Sequence, residues 1–268
     1  MPTYASIYSG IGGADAGFAG AGWTVAWQCE VDQYRRDVLS ARFGVRIYHD
    51  VRYLSSPSAR DDGTLRPLPW PVDCVYAEFP DHRIGVWWPP VWRVIDSVLP
   101  PPWAGAPPPW CIIEMSPTVP CDEVLRDLAI GGWAFRLLHI RFVILAAASG
   151  DPTETDIRNR ALVIACRDRA AIDAVQLASN FAEIVVQGAD TSHERLSLPW
   201  HEESRGFKVG YTCVCGVDQC ACSSDRRISA LADATSPIMG RWLAEIISGR
   251  WSDGVTRKTT SADGAKDV

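Results

Sequence analysis

The chain has 268 residues, is 47% hydrophobic and 22% charged, and carries a formal net charge of −6. That length accommodates one full α/β domain with a small appendage, and the composition is that of a globular chain rather than a disordered one. The acidic balance excludes a protein that coats nucleic acid indiscriminately, which needs a basic surface, but it leaves room for a local basic cleft.

The first strand-like run is Ala5–Tyr8, with no basic, cleavable leader before it, which reads as a cytoplasmic protein. No apolar run is long enough to span a bilayer, so no membrane partner is expected. Ser9-Gly10-Ile11-Gly12-Gly13 follows the strand and opens a helix. Glycines there let backbone N–H groups approach a ligand at a helix N-terminus. Such a turn also occurs for packing alone. A second strand, Thr24–Gln28, runs into Cys29-Glu30-Val31-Asp32. An acid at the end of the second strand is where nucleoside ligands have their ribose hydroxyls held. A helix is predicted over Gln33–Phe43, and Asp50 follows a further short strand. Each acid alone reads equally as a loop residue or helix cap.

After an irregular stretch, Arg60–Pro71, the pattern predicts a strand at Val72–Ala77 and a helix at Val91–Val98. The Pro-rich loop Leu99–Trp110 follows, then a strand at Trp110–Glu114 and a helix at Pro120–Ile130. Two more strands are predicted at Arg141–Ala146 and Ala161–Ala165. Alternating strands and helices imply a doubly wound parallel sheet with ligands at the carboxyl ends of its strands. Regularity fades from about Ala170 to Asp225, a helix returns at Pro237–Ser248, and the polar tail after Trp251 is expected to be disordered.

Of nine cysteines, Cys29, Cys74, Cys111, Cys121 and Cys166 are scattered, mostly in apolar stretches, and read as small buried hydrophobes. The other four are bunched as Cys213, Cys215, Cys220 and Cys222. Four thiolates can close a tetrahedral zinc site around a segment with little core of its own. The single residue within each Cys pair strains two ligands on one metal. Zinc is favoured narrowly over free or disulfide-paired thiols.

Ser6 to Phe18, with Ala21-Gly22-Trp23 and Glu30-Val31-Asp32, resembles the opening of the DNA cytosine-5 methyltransferases. The resemblance runs in family order to about Ile247 and implies an S-adenosylmethionine-dependent, Rossmann-like methyltransferase fold. It implies a pocket for S-adenosylmethionine or a derivative, built from Tyr8, Ser9, Gly10, Gly12, Gly13, Glu30, Asp50, Pro80 and Ser236. Tyr8 takes the place of the aromatic that stacks on adenine, Glu30 of the ribose-binding acid, and Asp50 of the acid at the adenine. Ser6 stands where the family has Asp.

Asp73 to Arg83 sits where the family has its Pro-Cys-Gln loop, and the triplet here is Pro80-Asp81-His82. In the family the Cys thiolate adds to carbon 6 of a flipped cytosine. A carboxylate is a poor substitute, so ordinary cytosine-5 methylation is not expected. Asp81 with His82 reads equally as a general base or as an idle site. Glu114 matches the family's base-binding Glu. Arg158 and Arg160 match the two arginines that contact phosphate and base, with Asp156 in place of a Gln. Asp233 to Ala244 resembles the last motif, which completes the donor pocket, with Asp233 for Asn.

The resemblance divides the chain into a catalytic domain at 1–168 and 229–250, a small recognition region at 169–228 that holds the Cys cluster, and a tail at 251–268. It implies DNA as partner, through a cytosine or modified cytosine. Three functions stay open. One is a transferase of altered, non-covalent chemistry using Asp81, His82, Glu114, Arg158 and Arg160. The second is an inactive homologue that binds DNA or regulates a partner methyltransferase subunit. The third is action on free nucleotides.

Overall fold

Short runs of apolar residues, alternating in which face they bury, build the centre of the molecule. The computed structural model describes residues 1–54, 71–79, 84–99, 108–145, 155–175, 181–187, 202, 205–208, 210–215 and 223–249. The stretch 60–70, most of the Pro-rich loop and the tail after Trp251 lie outside the described residues.

The strands are β1 (Thr3–Ile7), β2 (Thr24–Cys29), β3 (Arg46–Tyr48), β4 (Cys74–Glu78), β5 (Trp110–Met115), β6 (Ala134–Leu145), β7 (Thr155–Cys166) and β8 (Phe181–Gln187). The helices are α1 (Gly13–Gly20), α2 (Gln33–Phe43), α3 (Val51–Leu54), α4 (Ile84–Val98), α5 (Asp122–Ile130), α6 (Arg169–Ala174), α7 (Ser224–Ala232) and α8 (Pro237–Ile247). The sheet order is β3-β2-β1-β4-β5-β7-β6-β8. From β3 to β5 every pairing is parallel, as the alternation predicts. The expectation of a wholly parallel sheet needs correction, because β7 runs antiparallel to both β5 and β6. The short link from β6 to β7 leaves no room for a crossover helix, and a hairpin is then the only closure.

The two faces of the sheet carry separate cores. Ala5, Ile7, Val75, Ala77, Cys111, Ile113, Val163 and Ala165 face α3, α4 and α5. Their neighbours Tyr4, Cys74, Tyr76, Ile112, Leu162 and Ile164 face α1, α6 and α8. This period-two division is what a strand buried on both sides requires. A third, smaller cluster joins Ile11 and Val38 to Phe207, Ala230, Leu231 and Ala234.

Several boundaries differ from the sequence reading. α4 begins at Ile84, seven residues earlier than predicted, and contains Pro89 and Pro90. Prolines inside a helix remove backbone bonds. Here burial of Trp88, its indole N–H donating to Asp127 Oδ2 at 2.9 Å, and its stacking on Trp92 hold the turn. β6 and β7 pair over their full length, well beyond the short apolar runs read in each. β8 and α6 lie in the stretch where periodicity fades, α7 begins at its end, and β8 pairs in parallel with β6. Among the described residues, no helix is long and apolar enough to cross a membrane.

α1 and α8 pack at very close range. A Cβ on Gly17 would overlap the backbone of Pro237, Gly240 and Arg241, and one on Gly240 would overlap the backbone of Ala14. G17A is therefore expected to destabilise the protein by about 1–3 kcal/mol in denaturant unfolding. G20A, on the same helix in open space, is expected to be neutral or to stabilise by up to ~1 kcal/mol through helix propensity.

Candidate active site

The loop after β1 turns sharply. Tyr8, Gly10 and Gly12 all have positive φ, at 58°, 57° and 82°. Gly12 caps α1 in the left-handed conformation. Gly13 has no room for a side chain, because a Cβ would overlap the carbonyl of Thr235 and touch Phe207. The segment before α8 thus roofs the glycine turn. Tyr211 adds a brace, its hydroxyl donating to the carbonyls of Ile11 (3.0 Å) and Gly12 (3.3 Å).

Glu30, at the end of β2, latches the same loop. Its Oε2 accepts from Gly10 N and its Oε1 from Asp32 N, each at 2.9 Å. Burial raises the Glu30 pKa, and the two N–H donors and Arg35 oppose that rise. Asp50 is buried and bonded to Arg52 through the Arg52 backbone N–H and its guanidinium. Burial alone would raise its pKa, but the bonds to Arg52 outweigh burial and hold it below the usual carboxylate value. Tyr8 stands edge-on to Phe79 and Trp87, with ring centroids 5.5 and 6.1 Å away. Tyr8, Glu30 and Asp50 are thus gathered where β1, β2 and β3 end. Ser236 caps α8, its Oγ accepting from Ile238 N and donating to Arg205 O.

Ser6 had stood out only as a missing acid. The structure finds a carboxylate beside it: Ser6 Oγ donates to Asp15 Oδ1 at 2.8 Å and contacts Ser9 Oγ at 2.6 Å. Asp15 comes from the first turn of α1 and is fully buried. Burial pushes its pKa up to about 7, against the Ser6 bond, which lowers it.

A second group of polar side chains lies at the ends of β4, β5 and β7. Glu114 is 1% exposed. Its Oε1 accepts from Arg160 Nε at 2.8 Å, and its Oε2 accepts from Tyr76 Oη and from Thr235 Oγ1, the latter at 3.0 Å. Tyr76 Oη and Thr235 Oγ1 lie 2.9 Å apart, so their two hydroxyl protons are shared among three contacts. Glu78 is directly opposite Glu114 in the β4–β5 register and is only partly buried. Desolvation and the Glu114 charge push the Glu78 pKa up to about 8, against Arg160, Thr235 and Arg35, which lower it. Sequence reading assigned no role to Tyr76, Glu78 or Thr235. An acid next to a strand terminus carries no signal of its own, and only the strand register pairs it with Glu114.

Pro80, Asp81 and His82, between Phe79 and α4, lie outside the described residues. Arg158 is in β7 opposite Phe142, and nothing beyond its backbone is described. Cys74 and Cys111 are fully buried in adjacent strands, and burial pushes both thiols upward in pKa. Neither is suited to replace a thiolate nucleophile. Cys213 and Cys215 place their sulfurs 3.3 Å apart, while Cys220 and Cys222 lie outside the described residues. Among the described residues no group of three or more His, Cys, Asp or Glu side chains is placed to hold a metal.

No protein-family model matches the sequence, and no curated protein matches it. Solved structures do share its fold. A protein encoded within an E. coli prophage and designated a DNA modification methyltransferase superposes with TM-score 0.59 at 11% identity, over 92% of this chain and 99% of that one. The S. pombe Dnmt2 methyltransferase gives TM-score 0.57 at 10% identity, over 92% and 98%. A mutant of Spodoptera frugiperda DNMT2 gives 0.59 at 9%, over 92% and 100%. The chain therefore has the Rossmann-like methyltransferase fold.

Asp15 yields a pH prediction. An acid whose pKa is raised on folding binds more protons in the native than in the unfolded state between its two pKa values. That window runs from about 3.9 for an unfolded Asp to about 7 in the fold. Stability contributed by neutral Asp15 is present at the acid end and is lost as pH rises through 7. D15N is expected to make the fall in urea-unfolding free energy between pH 5 and pH 8 shallower than in wild type. An unchanged slope would show that Asp15 does not titrate there.

Proposed function

We propose that the chain is an S-adenosylmethionine-dependent transferase that acts on a cytosine or modified cytosine in DNA, with no covalent cysteine adduct. The observation that carries this is the convergence of two half-sites at the carboxyl ends of adjacent strands in a methyltransferase fold. One half is the glycine turn latched by Glu30 beside Asp50. The other is Glu114 bonded to Arg160. The DNA modification methyltransferase and Dnmt2 folds support the reaction class, and the motif order supports the residue roles.

In this reading Ser9, Gly10, Gly12 and Gly13 offer backbone to the donor, and Ser236 closes the pocket with Pro80. Glu30 accepts from ribose hydroxyls, Asp50 faces the adenine, and Tyr8 with Phe79 and Trp87 supplies the aromatic wall. S-adenosylmethionine, or a derivative, supplies an electrophilic methyl or related group when bound. Arg158 and Arg160 meet phosphate and base. Asp81, with His82 beside it, takes the proton from the nucleophile on the base. A hydroxymethyl oxygen or the exocyclic amine suits a general base better than carbon 5 does. Cys213 and Cys215, with Cys220 and Cys222, hold zinc and clamp a reduced recognition region at 169–228, attached to a catalytic domain at 1–168 and 229–250. The close approach of Cys213 and Cys215 fits two ligands of one ion.

Incubating the protein with labelled S-adenosylmethionine and DNA carrying plain or hydroxymethylated cytosine, followed by nucleoside mass spectrometry, tests the reading. Label is expected on an oxygen or nitrogen of the base. D81N should lower the rate by about a hundredfold or more while donor affinity by calorimetry stays unchanged. E30A should weaken donor binding. Absence of transfer to every cytosine form would overturn the proposal.

A further inference from the structure

Glu114 is poorly placed to read a base, although the motif order gives it that part. It is 1% exposed and both carboxylate oxygens already accept bonds, from Arg160 on one side and from Tyr76 and Thr235 on the other. Any contact with a ligand would first have to break one of these. Glu78 shares the Thr235 hydroxyl with Glu114 but is less enclosed. It is the last residue of β4, its Cα is paired with that of Glu114, and it keeps a partly exposed surface at the carboxyl edge of the sheet.

We infer that Glu78 is the residue that hydrogen-bonds the target base, as a neutral carboxylic acid, and that Glu114 is the buried charge that positions it. A protonated carboxyl presents one O–H donor beside one C=O acceptor. That pattern complements an aminopyrimidine edge, a ring nitrogen that accepts beside an amino group that donates. The substrate class is therefore a base with a cytosine-type edge, which deepens the proposed function and rests on it.

The surroundings favour the neutral form. The charged and titratable groups around Glu78 are Glu114 on β5, Arg160 on β7, Arg35 on α2, the Tyr4 phenol on β1 and the Tyr76 phenol on β4 itself. Arg160 donates its Nε to Glu114, and Arg35 pairs with Asp233 at 2.5 Å. Two carboxylates in register with one guanidinium bonded between the strands leave one negative charge compensated, and the second carboxyl keeps its proton. The raised pKa of Glu78 agrees with that geometry.

The test uses the whole protein. A short single-stranded oligodeoxynucleotide with one central cytosine is compared with its counterpart carrying an abasic site there, and affinities are measured from pH 6 to pH 9.5. The contribution of the base is expected to be constant at low pH and, above pH 8, to fall about tenfold per pH unit as one proton is lost. E78A should lose about ten- to a hundredfold of it at pH 7. E78Q, whose amide keeps one donor and one acceptor, should restore binding and remove the fall above pH 8. Calorimetric binding of S-adenosylmethionine by each variant reports an intact fold.

If E78A binds the cytosine strand as wild type does, or if E78Q is as weak as E78A, the assignment of Glu78 is overturned. Such a result leaves label transfer by the wild-type protein untouched, so the proposed function stands. If the wild-type protein itself gains nothing from the cytosine, the substrate half of the proposed function fails and this inference fails with it.

Discussion

Helix α1 can lie against α8 only because neither carries a side chain where they cross, at Gly17 and Gly240. That contact fixes where the chain entering α8 must pass. The chain then runs over the glycine turn with no gap, so Thr235 lies with its carbonyl against Gly13 and its hydroxyl on Glu114 and Tyr76. One residue thus touches both halves of the candidate site. The glycine turn follows β1 and the carboxylates end β4 and β5, whereas Thr235 comes from the far end of the chain. The pairing of β1 with β4 and of β4 with β5 sets the strands, and backbone packing sets Thr235 across them. Packed interiors resist small displacements, so a spacing set this way is rigid.

The second constraint is buried charge. Asp15, Glu30, Asp50, Glu114 and Glu202 are all nine-tenths or more buried. An isolated buried carboxylate is costly, and these five are compensated in two ways, by a guanidinium partner or by neutral donors. Asp50 and Glu114 have guanidinium partners in Arg52 and Arg160. Glu202 is bonded to Arg227 and to the N–H groups of Gly210 and Thr212, which shapes the segment leading to Cys213. Glu30 accepts from two backbone N–H groups with the Arg35 charge nearby, and Asp15 relies on the Ser6 hydroxyl and on keeping its proton near neutral pH. The carboxylates that have only neutral donors are the ones lying against the glycine turn.

The parts of the site that were legible in the sequence are those in which function and chain neighbourhood coincide. The glycine turn, Glu30 and Asp50 each sit directly after a strand, so local order was enough to group them. Glu114 and Arg160 were also found by order along the chain. The lost parts depend on contacts between distant elements. Asp15 was hidden because it occupies the helix while the missing acid belonged to the strand, and only folding brings it within 2.8 Å of Ser6. Glu78 was hidden because its meaning comes from register with Glu114. β8 and the full extent of β6 and β7 were missed for a related reason. Their extent is set by pairing with one another, which local order along the chain does not report.

Under the proposed function, a carboxylate at position 81 where the resembled family has a thiolate bears on the rest of the pocket. A covalent adduct holds its base by a bond, and the surrounding hydrogen bonds need only guide it there. In the proposed chemistry no such bond forms, and the base must be held in reacting geometry by hydrogen bonds alone. A pocket that has given up the nucleophile then gains from an additional, correctly protonated contact at the base edge. Glu78 is set beside Glu114 by the register of two parallel strands, and its carboxyl is the one inferred to make that contact. In the proposed chemistry, Asp81 and the carboxyl at the end of β4 belong together, because a base that forms no bond to the protein has to be held by its edge.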